Sequence, residues 1–195
     1  ADEAARTKFA KNIKTVLEKN KLDGIDLDFE WAENEKEYKD YSLAILKMRE
    51  VLGDKYLFSV SLHPVCYKIS KEAIEAVDFI SLQCYGPSPV RFPIEKYCSD
   101  IQMVLEYGIP KEKLVAGVPF YGVTKDNSKK TEAYFNFVQN GLVTSPAQNE
   151  VIYQGDTYVF DGQDNIRIKT RYAKEQKLKG MMSWDLATDL PLSDS

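Results

Sequence analysis

The chain has 195 residues, of which 44% are hydrophobic and 29% are charged, and its formal net charge is −4. These proportions predict one globular domain with a sizeable core. The acidic isoelectric point near 5.2, with Lys and Arg scattered along the chain, argues against a nucleic-acid partner. No apolar run approaches the roughly 20 residues needed to cross a bilayer, which argues against a membrane partner.

The first half of the chain alternates between helical and extended patterns. Apolar residues recur at helical spacing in three segments, namely residues 3–20, 36–52 and 70–76. Extended segments rich in β-branched and aromatic residues follow them, namely residues 22–32, 56–62 and 77–86. Gly53 is expected to cap the second helix.

The second half continues the alternation around one irregular segment. It predicts a helix over 94–107, a strand over 113–122, a helix from an N-cap near Asp164 or Asn165 to Lys177, and a strand over 180–186. Residues 123–163 predict an elaborated loop with a helix near 131–139 and a hairpin that turns at Gly155 and Asp156. Five buried strands separated by helices predict an α/β fold with a parallel sheet.

The three cysteines are too few and too irregularly spaced for a disulfide framework or a zinc site. Cys84 lies in an apolar run and is expected to be a buried small hydrophobe. Cys66 and Cys98 lie near turns, so one bridge between them is conceivable. The sequence therefore predicts no metal site and no cofactor.

The strand LDGIDLDFEWA carries an acid at every second position, Asp26, Asp28 and Glu30. Successive side chains of a strand point to opposite faces, so the acids share one face and the apolar residues between them share the other. Like charges about 6.6–6.8 Å apart raise one another's pKa. We expect one member to hold a proton at neutral pH, as a general acid requires.

Two other interpretations of these acids fit the sequence less well. An exposed edge strand would leave the acids harmlessly in water, but the flanking apolar residues and helices favour a central strand. The spacing also resembles a calcium loop, yet Trp31 occupies the sixth position, where the sharp turn requires Gly.

The segment DGIDLDFE resembles the Asp-Gly-x-Asp-x-Asp-x-Glu motif of family-18 glycoside hydrolases, the chitinases and their relatives. Three later segments resemble further motifs of that family in the same order: QCYG its sixth-strand Met-x-Tyr-Asp, GVPFYG its seventh-strand Gly-x-Pro-x-Tyr-Gly, and GMMSWDLATD its eighth-strand Gly-x-Met-x-Trp. The resemblance implies a TIM barrel, present here as strands four to eight, with residues 1–195 forming a single domain. A complete barrel usually takes about 250 residues.

The resemblance also implies roles for individual residues. Glu30 would protonate the glycosidic oxygen, Asp28 would hold the acetamido N–H, and Asp26 would share a proton with Asp28. Tyr85 would donate a hydrogen bond to the acetamido carbonyl, and Trp184 would form an apolar floor under the sugar.

Four further residues are assigned less direct roles or depart from the family motifs. Tyr121 is expected to be architectural, and Gln83 replaces the usual Met and needs a polar partner in the interior. Gly86 stands where the family has Asp, which puts the usual substrate preference in doubt. His63 is expected to be a rim or packing residue.

By this resemblance the expected function is retaining, substrate-assisted hydrolysis of β-1,4-linked N-acetylglucosamine polymers, that is, chitin or chitooligosaccharides. The alternatives are an endo-β-N-acetylglucosaminidase that acts on N-glycans and a lectin-like chitin-binding protein. The family implies secretion, although the first residues, ADEAARTKFAKN, do not resemble a leader. A partial barrel would expose strand edges and apolar surface, so self-association is expected.

Overall fold

The computed structural model describes residues 2–190, and within that range it contains six α-helices and nine β-strands. The helices are α1 (Glu3–Asn20), α2 (Glu35–Leu52), α3 (Lys71–Ala76), α4 (Ile94–Tyr107), α5 (Tyr134–Gln139) and α6 (Gln163–Glu175). The strands are β1 (Gly24–Asp28), β2 (Leu57–Leu62), β3 (Phe79–Leu82), β4 (Leu114–Pro119), β5 (Tyr121–Thr124), β6 (Thr131–Ala133), β7 (Glu150–Tyr153), β8 (Asp156–Val159) and β9 (Gly180–Trp184). No helix among these residues is long and apolar enough to span a membrane.

Five strands form one parallel sheet in the order β1-β2-β3-β4-β9, which confirms the predicted α/β fold. The expectation that β1 is a central strand is wrong. Within residues 2–190, β1 pairs only with β2 and forms one edge of the sheet, and β9 forms the other edge. Helices on both sides of a strand in sequence do not decide its place in the sheet, because both can cover the same face.

The two faces of the parallel sheet differ in polarity. One face carries Phe58, Val60 and Leu62 of β2 and packs in the main core with the helices, and Ile25 and Leu27 of β1 pack against that core. By alternation the opposite face carries Ser59 and Ser61 of β2 together with the acids of β1. The predicted separation of acids and apolar residues is therefore confirmed.

Residues 121–159 form a second sheet, antiparallel, in the order β6-β5-β8-β7. Its small core consists of Phe137, Val151, Tyr158 and Phe160. The predicted strand over 113–122 divides into β4 and β5, and the predicted helix near 131–139 begins only at Tyr134, because residues 131–133 pair with β5. This insertion is more ordered than a loop.

Two predicted element ends in this region are wrong. The hairpin turns at Gln154 and Gly155, since Asp156 already pairs with Tyr153; both turn residues have positive φ, as a two-residue type I′ turn requires. Helix α6 begins at Gln163 after Gly162, without a side-chain cap, and ends at Glu175.

The cysteines are all unpaired in the described structure, so the conceivable Cys66–Cys98 bridge is not formed. The Sγ of Cys66 instead accepts a hydrogen bond from the backbone N–H of Ala32 at 3.1 Å. Cys84 is buried, as predicted.

Candidate active site

A cavity of about 250 Å³ lies at the carboxyl ends of the parallel strands. It is lined by Asp28, Glu30, Trp31, His63, Gln83, Tyr85, Gly86, Pro87, Tyr121 and Trp184. Eight of the nine residues singled out from the sequence therefore meet in one cavity. The ninth, Asp26, is not part of the lining and lies one repeat earlier on β1.

Asp26 is held by two serines of the neighbouring strand. Its Oδ1 accepts a hydrogen bond from Ser59 Oγ at 2.5 Å, and its Oδ2 accepts one from Ser61 Oγ at 2.7 Å. The parallel register places Asp26 beside Ser59 and Asp28 beside Ser61, which explains the reach of both hydroxyls. Both carboxyl oxygens of Asp26 are thus engaged, and its sharing of a proton with Asp28 stays a prediction.

The carboxyl group of Asp28 has a raised pKa. Desolvation, followed by the charges of Glu30 and Asp26, raises its pKa to about 6. The amide Nε2 of Gln83 donates to Asp28 Oδ2 at 3.2 Å, which opposes this rise by favouring the charged form. The pKa of Asp28 is therefore raised in the predicted direction, and which acid holds a proton at neutral pH stays a prediction.

The buried side chain of Gln83 has the polar partner that the sequence predicted it to need. It is buried, and its hydrogen bond to Asp28 links the end of β3 to the end of β1. Glu30 lies beyond the last residue of β1 and is exposed. The three acids are all exposed because no described strand covers the outer edge of β1.

Tyr85 forms the buried wall of the cavity. Its hydroxyl donates to the Sδ of Met182 at 3.5 Å, and burial raises its pKa above the usual value. Gly117 makes room for the ring, since a Cβ there would lie 2.7 Å from Tyr85 Cε1. Because a thioether is a weak acceptor, the Tyr85 hydroxyl remains available to a better one.

Tyr121 and Trp184 complete the aromatic lining. The ring of Tyr121 packs edge-on to that of Tyr85, with centroids 6.4 Å apart. Trp184 ends β9 and is 55% exposed, so a large apolar surface faces solvent at the cavity.

Sequence reasoning missed Trp31 and Pro87, and it underrated His63. Trp31 follows Glu30 directly, but its sequence position bears only on the calcium loop and does not indicate a place in the cavity. His63 is 8% exposed, so the packing part of its prediction is confirmed, yet it also lines the cavity and bonds to the backbone of Tyr85. No periodicity identifies such loop residues, because they come together only at the ends of different strands.

A larger cavity, of about 600 Å³, lies near α5 and α6, away from these acids. Its buried acid, Asp161, is already paired with Lys169 at 2.5 Å. Among the described residues no group of three or more His, Cys, Asp or Glu side chains is arranged to hold a metal ion. The smaller cavity therefore has the stronger claim to chemistry.

Comparisons with known proteins identify the family of the chain. Residues 1–189 match the family described as glycosyl hydrolases family 18. Probable chitinase 2 of Drosophila melanogaster is 23% identical over 253 aligned residues, which cover 97% of this chain and 52% of that protein. The chain therefore spans about half the length of this relative.

Solved structures support the fold. The GH18 chitinase ChiB from the chitin utilization locus of Flavobacterium johnsoniae superposes with a TM-score of 0.77 at 29% identity, covering 94% of this chain and 60% of that one. A chitinase-like agglutinin from Robinia pseudoacacia superposes with a TM-score of 0.82 at 18% identity, covering 97% and 70%. The second likeness concerns the fold alone. With the match to the family over nearly its whole length, the chain belongs to family 18 of the glycosyl hydrolases.

Proposed function

We propose that this chain carries the catalytic centre of a hydrolase that cleaves β-1,4-linked N-acetylglucosamine polymers with retention of configuration. The observation that carries the proposal is the pairing of Asp28, whose pKa is about 6, with Glu30 in a cavity lined by aromatic rings. A carboxyl pair that holds a proton near the working pH suits general acid catalysis. Membership of family 18 supports the same chemistry.

Glu30 is the proposed acid. Its proton passes to the glycosidic oxygen as the C–O bond breaks, and the bonding electron pair leaves with that oxygen. The acetamido oxygen of the substrate bonds to the anomeric carbon and forms an oxazolinium ion. Water then opens this ion and gives a proton to Glu30, which restores the acid.

The surrounding residues stabilise this sequence of charges. Ionised Asp28 accepts the acetamido N–H and offsets the positive charge of the oxazolinium ion. Tyr85 exchanges its weak bond to the Met182 sulfur for a bond to the acetamido carbonyl oxygen. Trp184 offers an apolar face to the sugar ring.

Two other functions have a specific observation in their favour. Gln83 in place of Met and Gly86 in place of Asp change the residues that meet the acetamido group, which favours an endo-β-N-acetylglucosaminidase acting on N-glycans as the second candidate. The exposure of Asp28 and Glu30 at the sheet edge favours sugar binding with weak turnover as the third. For each of these functions we propose an extracellular location, where polymeric glycans are met.

Turnover of fluorogenic chitobioside and chitotrioside by the unaltered chain and by Glu30→Gln tests the proposal. We expect Glu30→Gln to lose activity by at least about 100-fold, since general acid catalysis contributes 10²- to 10⁴-fold. Glu33→Gln is the matched control, because Glu33 is an exposed acid of the same loop that does not line the cavity.

Measurable turnover that is equal in the unaltered chain and Glu30→Gln would remove Glu30 from the acid role. Cleavage of an N-glycan core in preference to chitotrioside would favour the second candidate. Binding of chitotriose measured by calorimetry, without turnover of any of these substrates, would favour the third.

A further inference from the structure

His63 is the single histidine of the chain, and both of its ring nitrogens are used. The backbone N–H of Val65 donates to Nδ1 at 3.2 Å, so Nδ1 carries no proton. The other nitrogen, Nε2, lies 3.0 Å from the carbonyl oxygen of Tyr85. Because a carbonyl oxygen only accepts, Nε2 carries the proton and donates a hydrogen bond to the backbone carbonyl of Tyr85.

The hydrogen bond from His63 reaches a residue of the cavity through its backbone. The carbonyl that receives it belongs to Tyr85, and the ring of Tyr85 packs edge-on to the ring of Tyr121 with centroids 6.4 Å apart. His63 therefore holds the backbone of Tyr85, and Tyr85 contacts Tyr121 through its ring. A hydrogen bond is stronger in a partly buried site than in water.

His63 also contacts the residue that follows the proposed acid. The ring of Trp31 packs edge-on to the imidazole, with centroids 4.7 Å apart. One buried side chain thus touches the chain segments that follow β1 and β3 and is itself anchored after β2. A residue that only filled space at the rim would not need these hydrogen bonds to two chain segments.

The charges around His63 are mixed. Burial and the positive charge of Arg91 favour the neutral ring, whereas Asp100, Glu30 and the Tyr85 carbonyl favour the protonated ring. The pKa of His63 is lowered on balance, chiefly by burial. The neutral ring is also the only form that can accept the Val65 N–H.

Building on the proposed hydrolase function, we propose that neutral His63 is a positioning residue, whose Nε2–H holds the Tyr85–Gly86 peptide and thereby sets the places of Tyr85 and Tyr121 in the sugar site. The Val65 N–H keeps the His63 ring in the tautomer whose Nε2–H can donate to the Tyr85 carbonyl. An added proton on Nδ1 would face the Val65 N–H and break that bond.

Two substitutions separate this role from packing. His63→Gln keeps an N–H donor at the reach of Nε2, whereas His63→Asn reaches only the place of Nδ1 and keeps just the acceptor for Val65. We expect His63→Gln to retain kcat within about threefold and His63→Asn to lose about 10- to 100-fold in kcat with little change in KM, as misplaced catalytic groups do. Equal losses by both variants, with equal thermal unfolding, would overturn the proposal.

The pH profile gives a second readout. The unaltered chain is expected to lose activity as pH falls through the lowered pKa of His63, in addition to any change due to the acids. His63→Gln has no such titration and should keep only the acid-dependent limb. Identical acid limbs in the two proteins would overturn the proposed dependence on neutral His63.

A spectroscopic readout works even without turnover. The single histidine yields one pair of imidazole ¹⁵N signals, which should report a proton on Nε2 and none on Nδ1 at neutral pH. Tyrosine ring signals, assigned with Tyr85→Phe and Tyr121→Phe, should move in His63→Asn and stay in place in His63→Gln. The opposite tautomer, or unmoved signals in His63→Asn, would overturn the positioning role, whereas absence of turnover with these shifts present would overturn only the proposed hydrolase.

Discussion

At the scale of single residues, the site depends on the different hydrogen-bond partners of the neighbouring acids. Asp26 is bonded by Ser59 and Ser61, whereas Asp28 is bonded by Gln83 and lies next to Glu30. Partial desolvation of Asp28, together with the charges of Glu30 and Asp26, raises its pKa to about 6. Desolvation and these like charges make the ionised form of Asp28 costly.

This cost predicts a pH-dependent effect of Asp28→Asn on stability. The usual pKa of Asp28 is 3.8 and its folded value is about 6, so between these values the folded state binds more protons than the unfolded state. Stability from this group is present at low pH and is lost as pH rises toward and through 6. We expect Asp28→Asn to stabilise the protein at pH 8 and to have little effect near pH 4, as measured by urea unfolding.

Asp126→Asn is the matched control, because the pKa of this exposed acid is lowered by its bonds to Ser128. It should show the opposite trend, with a loss of stability at pH 8. A stabilisation by Asp28→Asn of equal size at both pH values would contradict the prediction.

At the scale of elements, a glycine in strand β4 makes room for a side chain of the site. A Cβ on Gly117 would lie 2.7 Å from the ring of Tyr85 and 2.8 Å from the backbone oxygen of Leu82. The ring can shift, but the backbone oxygen belongs to β3, which pairs with β4. The close approach of Tyr85 to the sheet therefore requires glycine here.

We expect Gly117→Ala to destabilise the fold by about 1–3 kcal/mol, as overpacking does, and to displace Tyr85 from the cavity. Thermal unfolding measures the first effect, and the loss of chitotriose affinity measures the second. Gly180→Ala in β9 is the matched control, since a Cβ there meets nothing within 4 Å. Equal unfolding temperatures for the two variants would show that the sheet absorbs the clash.

At the scale of the whole molecule, the parallel sheet is open. Strands β1 and β9 are its two edges in the described structure, and Trp184 and Leu186 near the β9 edge are strongly exposed. Unpaired edges and exposed apolar side chains favour pairing with another chain. The solved relatives extend well beyond the part that this chain matches, which covers 60% of the Flavobacterium chitinase.

We therefore expect the isolated chain to self-associate in a concentration-dependent way. Size-exclusion chromatography with light scattering over a concentration series measures this property. A mass that rises above 22.3 kDa with concentration is the expected result. A monodisperse monomer at every concentration would mean that the edges are protected by their own short length and twist.

Local sequence patterns predicted the alternation of helices and strands and the polarity of the two faces of β1, and the resemblance of short motifs to family 18 predicted most members of the candidate site. These features follow from periods of 3.6 and 2 residues and from short motifs, all of which are local. Tertiary structure sets four other features: the antiparallel insertion, the edge position of β1, the unpaired Cys66 and Cys98, and the hydrogen bonds of His63. Each depends on groups far apart in the chain, such as Asp28 and Gln83 or Cys66 and Ala32, and no local pattern encodes which distant group a side chain will meet.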